Sequence, residues 1–516
     1  MRRFVSVFLV ICMVSLLSMG LSACAKPELI TFTWQVDSMP KSLDPQLAQS
    51  VCERTSAEHL FRGLMMLDEN GQPVPDSAKD YTISEDKLTY TFHLKDDLFF
   101  YPYDKEAKPI PVTAHDFVFG ITRVFLPETF SPYAQQLSGI AGSSEVLNGA
   151  DPSTLGISAP DDKTVVIHLS APDETFLSKL SSPGAMPCNE EFFRSTKGSY
   201  GLSKQQLLTN GEFQLYNWAD QGIFLRRKDA LAGAANNLRL VLQDPHEPVT
   251  GLAALSDDVV TGVEYRGEPP QGYTSQKFSD TVWALIFNCD NEFLSNLSVR
   301  QAIGEIVYQS LSEQLPLSTF ESANGLLPSA LPLPNGTSHD ESVISSFGDA
   351  LTLYQQGLSQ LNQTKLNGIT VLLPQQPDIV AAFENTNQLL QKKLSAFFSL
   401  QQLPEQELTE RISAKDFTIA LVPLSPKTND PAEFLQQITN LTQAQTSSSL
   451  QALTNTSLSA HERTELSLSA EKEALQQAFA IPIWFEQRSF LTKAGWSGII
   501  YSPFGPRLNL RNAILK

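Results

Sequence analysis

Basic residues are scarce in this 516-residue chain. Against 56 Asp and Glu stand only 37 Lys and Arg, a formal net charge of −19. A bulk field of that sign disfavours nucleic acid and anionic membrane surfaces, so nucleic acid is not expected as a partner. Cysteine is also scarce, with five in all and no Cys-x-x-Cys pair, which argues against a zinc site. The seven histidines (59, 93, 115, 168, 246, 339, 461) are scattered, and no His-Glu-x-x-His joins two of them. Gly-x-Ser-x-Gly and a phosphate-binding glycine loop ending in Lys-Ser/Thr are missing too. No metal, no cofactor and no enzyme activity are therefore expected, although two hydrolytic carboxylates would need no motif. The 32 prolines and 27 glycines are dispersed, which excludes collagen-like and low-complexity classes. After the first two dozen residues no apolar run is long enough to span a bilayer.

What is present is ample core material. Hydrophobic residues make up 42% and charged residues 18%, and the length suggests two to four domains at roughly 100–200 residues each. Met1-Arg2-Arg3, the apolar stretch 4–21 and the small residues Ser22-Ala23 have the layout of a secretory signal over residues 1–23. A membrane anchor is the competing reading. Leu21-Ser22-Ala23-Cys24 resembles the bacterial lipobox, which implies lipidation of Cys24. Cleavage there would remove 23 residues with Arg2 and Arg3, leaving 493 residues at net charge −21. The expected result is a soluble acidic body outside the cytoplasm, in the periplasm or at the cell surface, with acyl chains as its membrane contact. Cys52, Cys188 and Cys289 remain. One disulfide, such as Cys52–Cys188, and three buried thiols are both open readings.

Period-2 alternation predicts strands over 31–36, 88–94 and 163–169, with further strands over 281–288, 366–374, 416–422 and 481–485. Helical spacing predicts helices over 57–67, 378–398 and 462–479. Thr113 and Asp116 form a capping-box pattern ahead of Phe117, Ile121 and Val124. Ser298 with Gln301 is read as a second box, ahead of a helix carrying Val299, Ile303 and Ile306. Strands and helices alternate without a fixed period, which means α/β and excludes a solenoid.

A set of short motifs occurs in order: Leu43-Asp44-Pro45, His59-Leu60-Phe61-Arg62-Gly63-Leu64, Thr91-Phe92-His93-Leu94-Lys95, Pro111-Val112-Thr113-Ala114-His115-Asp116-Phe117, Ser131-Pro132-Tyr133-Ala134 and Thr209-Asn210-Gly211. Phe287-Asn288, Val299-Arg300-Gln301-Ala302, Asn429-Asp430-Pro431 and Ile481-Pro482-Ile483 complete the series. The ordered set resembles the periplasmic solute-binding proteins of peptide ABC importers, the oligopeptide and dipeptide binders, over nearly the whole mature chain.

That resemblance implies a two-lobe α/β periplasmic binding protein fold with an extra subdomain on the first lobe. The expected division is 25–61, 186–280 and 490–516 for the first lobe, 62–185 for the subdomain and 281–489 for the second lobe. It further implies a monomer that encloses a short peptide between closing lobes and presents it to a membrane permease. By resemblance, the segment Gln49-Ser50-Val51 would pair with the peptide backbone, Val51 foremost, through the free N–H and C=O groups of an extended loop. Tyr133 matches a tyrosine of the family's site, and Trp283 either walls the cleft or packs in the core.

One position departs from the family. Where oligopeptide binders carry an aspartate for the ligand's α-amino group, Lys427 stands here. A second ammonium in a closed cleft repels the first. Three accounts are open: a shifted segment that lets Asp430 or Glu433 take the amine, a ligand with a blocked or displaced amine such as a cell-wall peptide, or a lysine that grips a ligand carboxylate. Leu424 and Ser425 also replace a tryptophan and cysteine of some relatives, so their disulfide is not expected. Competing functions are a same-fold binder of haem or a nickel chelate, a surface adhesin or sensor, and an extracytoplasmic hydrolase.

Overall fold

The computed structural model describes residues 29–516 except 37, 69–70, 105, 221, 243–250, 257–259, 266–268, 338, 340–343, 427, 456–457 and 503–507. The signal, Cys24 and Lys427 lie outside the described residues.

An eleven-stranded mixed sheet runs through the molecule. Its spatial order is Phe213–Ala219, Gly222–Arg227, Ala235–Leu242, Ile30–Val36, Gly262–Tyr265, Ala480–Lys493, Tyr273–Phe287, Ile419–Leu424, Thr370–Pro374 and Ser399–Leu403. Phe320–Ser322 pairs with the flank of Ala480–Lys493. Non-local parallel pairs appear in both halves. Ile30–Val36 lies parallel to Ala235–Leu242, and Thr370–Pro374 lies parallel to Ser399–Leu403 through the crossover helix Pro377–Leu394.

Two strands dominate this arrangement. Tyr273–Phe287 and Ala480–Lys493, 15 and 14 residues long, pair antiparallel along most of their length. Phe278 and Phe490 pack in one core with Phe32, Trp34 and Leu238. Trp283, Leu285, Ile481 and Trp484 pack in another with Ile303 and Phe383, and Val282, Ala284 and Ile286 turn to a third on the opposite face of the same half. Each strand thus leaves one core and enters the next, which defines two lobes joined by these strands. The expected strands 281–288 and 481–485 captured only the second-lobe halves, where both faces are buried and the apolar run is continuous. The first-lobe halves are polar and were not legible as strand.

A separate apolar cluster, with Phe92, Phe100, Phe117, Ile121, Val165 and Ile167, lies between a four-stranded antiparallel sheet and the helix Ala114–Phe125. The expected cap is in place there, with the Thr113 N–H donating to Asp116 Oδ2 at 2.7 Å.

Several local expectations need correction. Instead of a helix over 57–67, the helix is Val51–Leu60, and Met65–Leu67 is a strand. Ser50 and Glu53 close a capping box that starts the helix early. The helix Leu297–Leu311 is capped by Asn296, whose Oδ1 accepts the Val299 N–H at 3.1 Å, so Ser298 is inside the helix. Cys52, Cys188 and Cys289 are not in disulfides. The first two are buried in one first-lobe core, and burial pushes the Cys188 thiol up to about 12.

Candidate ligand cleft

The segment Leu43–Ser50, which leads into the expected contact residues 49–51, is anchored to the subdomain. Arg123, buried under Phe193 with its Cζ 4.0 Å from the ring centroid, donates to both Asp44 carboxylate oxygens and to Gln46 Oε1 at 2.7 Å. Gln46 in turn donates to the Met186 carbonyl at 2.8 Å. A buried guanidinium satisfied on several sides holds the loop to the subdomain helix, and removal of one partner would strand a buried charge.

Tyr133 is bonded to the same segment. Its hydroxyl donates to the Ala48 carbonyl at 2.6 Å, and neighbouring Ser131 donates to the Gln46 carbonyl at 2.7 Å. Burial holds the phenol above its ordinary pKa. The ring sits directly on Gly184, where a Cβ would lie 2.5 Å from Tyr133 Cβ. The structure therefore brings Tyr133 against the predicted 49–51 segment, but the polar tip is already occupied.

The same is true of the backbone at Gln49 and Ser50. The Gln49 N–H donates to Glu53 Oε2 at 2.9 Å, the Gln49 carbonyl accepts from Arg54 Nη1 at 2.8 Å, and the Ser50 N–H also donates to Glu53. Burial alone would raise the Glu53 carboxyl, but backbone N–H groups of Ser50, Gln49 and Lys41 pull it below its ordinary value. Val51 is the first helical residue. The expectation of an extended loop with free donors and acceptors is thus corrected at Gln49 and Ser50, whose groups are taken by Glu53 and Arg54. The Gln49 side chain remains exposed and Val51 half-buried.

Between the cores the crossing strands carry a polar band that sequence reasoning missed. Ser279, Asp280, Thr281, Glu486 and Ser489 are all buried, and the pairing register shifts between Ser279 and Thr281. Thr281 Oγ1 lies 2.8 Å from Ser425 Oγ, accepts from Arg488 Nη2 at 3.1 Å and donates to Asp280 at 3.0 Å. The guanidinium Nε of Arg488 is 3.4 Å from Asp280. On the adjoining positions Ser279 and Gln487 donate to the two oxygens of Glu321. The available signal was the polar triplet Ser279-Asp280-Thr281 immediately before an apolar run. A register shift of this kind bends the strand that carries it.

Trp283 is 3% exposed, with its ring 5.6 Å from Phe320 and its indole N–H on Glu486. It is a core residue and offers no wall to a cleft. Asp430 caps the helix Pro431–Thr442 by accepting the Ala432 N–H at 2.9 Å, and it lies 3.6 Å from Arg463. Glu433 accepts from Thr428 at 2.6 Å. Both alternatives to the missing aspartate are thus engaged locally.

Several of the ordered motifs hold distant parts of the chain together. Arg62 and Asn210 exchange two hydrogen bonds, the Arg62 N–H to Oδ1 at 3.1 Å and Nδ2 to the Arg62 carbonyl at 3.0 Å. Arg300 and Gln301 donate to the Gln477 and Gln476 carbonyls at the end of the helix Ala460–Gln476. Among the described residues no group of three His, Cys, Asp or Glu could hold a metal, and no helix is long and apolar enough to cross a membrane.

Two α/β lobes, a subdomain packed on one of them and a pair of strands shared between the lobes define the class of two-lobe solute-binding folds. The profile of the bacterial extracellular solute-binding proteins, family 5, middle region, matches residues 72–446, and the chain belongs to that family. The periplasmic oligopeptide-binding protein OppA of Escherichia coli (strain K12) is 35% identical over 191 residues, which is 36% of this chain and 34% of that protein. The match therefore spans about a third of that relative. The dipeptide-binding protein DppE of Bacillus subtilis (strain 168) is 23% identical over 500 residues, 91% of this chain and 89% of the relative. The solved structure of the pheromone receptor PrgZ superposes with a TM-score of 0.70 at 22% identity, covering 95% of this chain and all of that one, a likeness of fold.

Proposed function

We propose that this protein captures short peptides between its two lobes and delivers them to an ABC-type membrane importer, making and breaking no bond. The observation that carries the reading is the polar band on the two crossing strands, placed between apolar cores in a chain of a solute-binding family. Peptide-binding names among the relatives support the substrate class. In this reading the first lobe is 25–61, 186–280 and 490–516, the subdomain 62–185, and the second lobe 281–489. The ligand would meet the Gln49 side chain and Val51 at one rim and Lys427 with Asp430 at the other. The protein acts as a monomer outside the cytoplasm, tethered by lipid on Cys24.

Lys427 favours a second reading of the ligand itself. A cation at the position where relatives place an aspartate suits a peptide with a blocked amine or an acidic group, such as a cell-wall peptide. Native mass spectrometry of protein purified without refolding tests both. A ladder of peptide masses supports general capture and one defined adduct supports the second reading. Absence of any adduct, or turnover of an added peptide, contradicts both.

A further inference from the structure

A cavity of about 550 Å³ lies far from the crossing strands, where the outer hairpin Phe213–Ala219 and Gly222–Arg227 meets the strand Phe99–Pro102. The outer strand of that hairpin is five positions from Ala480–Lys493 in the sheet, about 24 Å at the usual strand spacing. Lys204, Arg226, Arg227 and Lys228 line the cavity, and among the described residues no carboxylate does. In a chain with 56 acidic and 37 basic residues, four cations around one opening, only two of them with an acidic partner among the described residues, run against the composition.

The cations differ in what they still have to give. Arg227 is consumed: it pairs with Glu212 at 2.7 Å and donates to the carbonyls of Ala235, Leu510 and Arg511. Lys204 and Arg226 have only neutral hydrogen-bond partners among the described residues, Asn217 Oδ1 at 3.4 Å and Asn237 Oδ1 at 3.1 Å. Lys228 bonds the Tyr101 hydroxyl at 3.0 Å and has Asp229 at 3.6 Å. Three phenol rings hold these cations in place. Arg226 lies 3.8 Å from the Tyr216 centroid, Lys204 5.1 Å from that of Tyr103 and Lys228 4.7 Å from that of Tyr101.

We infer that this cavity is a second binding site, for a phosphate ester of a sugar or polyol. The guanidinium and ammonium groups supply the charge-assisted donors a phosphate needs. The volume exceeds what a bare anion fills and matches a small organic ligand. The Tyr101 and Tyr103 hydroxyls are engaged, by Lys228 and by the Tyr216 carbonyl, and what the tyrosines offer is ring surface for the C–H groups of a sugar or polyol. Two sources share this chemistry, a soluble sugar phosphate and the headgroup of an anionic glycerophospholipid.

The experiment uses the full chain, with glucose 6-phosphate, glucose and phosphatidylglycerol vesicles as probes. Saturable binding of glucose 6-phosphate, absent for glucose and weakened by added salt, is the expected result. The double variant Lys204→Gln, Arg226→Gln should weaken it at least about tenfold, with Arg226→Lys intermediate because a lysine lacks the bidentate fork. In the unaltered protein the ester should shield Lys204 and Lys228 from acetylation, a readout that needs no variant. Vesicle binding that glucose 6-phosphate displaces assigns the headgroup source; binding of the ester with no vesicle binding assigns the soluble one. No saturation at millimolar ester, equal binding of glucose, or an unshielded Lys204 overturns the proposal. Peptide capture is measured in parallel, so failure of this site is distinguishable from failure of the cleft.

Discussion

Trp283 donates its indole N–H to the Glu486 carboxylate at 3.1 Å, across the two strands that join the lobes. Both residues are buried. Glu486→Ala would leave that N–H without its acceptor, at a cost of about 1–3 kcal/mol. Glu486→Gln keeps an acceptor and should lose less than half of that. Urea unfolding of the two variants checks the order. Equal losses would mean that the carboxylate charge, and not the bond to Trp283, is what matters.

The Tyr133 hydroxyl is committed to Ala48. Tyr133→Phe should therefore cost about 0.5–1.5 kcal/mol of stability and leave peptide affinity within about threefold. Unchanged stability with affinity down tenfold or more would put the hydroxyl on the ligand.

The two lobes were legible through the ordered motifs and the family they resemble, while the hydrophobic pattern marked only local elements, such as the continuous apolar run of the second-lobe strand and the helix Ala114–Phe125. The hinge was not. Its strands turn polar where they leave one core for the other, and polar residues in an extended stretch look like a loop until their partners, Ser425 and Arg488, are brought in from some 145 and 207 positions away. The rim was misread for a similar reason. Ser50 and Glu53 form a local capping box, and that box uses the same backbone groups the loop was expected to offer a peptide. Motif order identified the family correctly, and several motif residues, among them Arg62, Asn210 and Arg300, bond to distant parts of the chain.

Adjacent residues Glu58 and His59 give a signature in pH. Burial pushes the Glu58 carboxyl up from 4.5 to about 7, with Arg511 opposing. Burial also brings His59 down from 6.5 to about 3. As a neutral ring its Nδ1–H donates to the Thr55 carbonyl at 2.8 Å and its Nε2 accepts the Leu510 N–H at 3.1 Å. Glu58 thus contributes stability that is present below 4.5 and lost as pH rises toward 7. His59 contributes stability that is present above 6.5 and lost as pH falls toward 3. Between 4.5 and 6.5 the two slopes oppose and cancel. Glu58→Gln should expose a stability that rises with pH there, by up to about 1.4 kcal/mol per unit, and His59→Gln one that falls. Urea unfolding across this window measures both. Parallel slopes in the two variants would contradict the assignment.

At Lys427, the variant Lys427→Asp separates the accounts of the ligand amine. If the lysine faces that amine, the variant gains affinity for a free-amine tetrapeptide and not for its N-acetylated form. Calorimetric titration of both peptides reads the difference. No change with either peptide moves Lys427 out of the site.

The central claim is closure of two lobes on a peptide. Small-angle X-ray scattering of refolded, ligand-free protein, before and after a saturating mixture of tri- to pentapeptides, tests it most directly. The account predicts a smaller radius of gyration with peptide, tracking the binding isotherm. A radius that stays the same while peptide binds would contradict it.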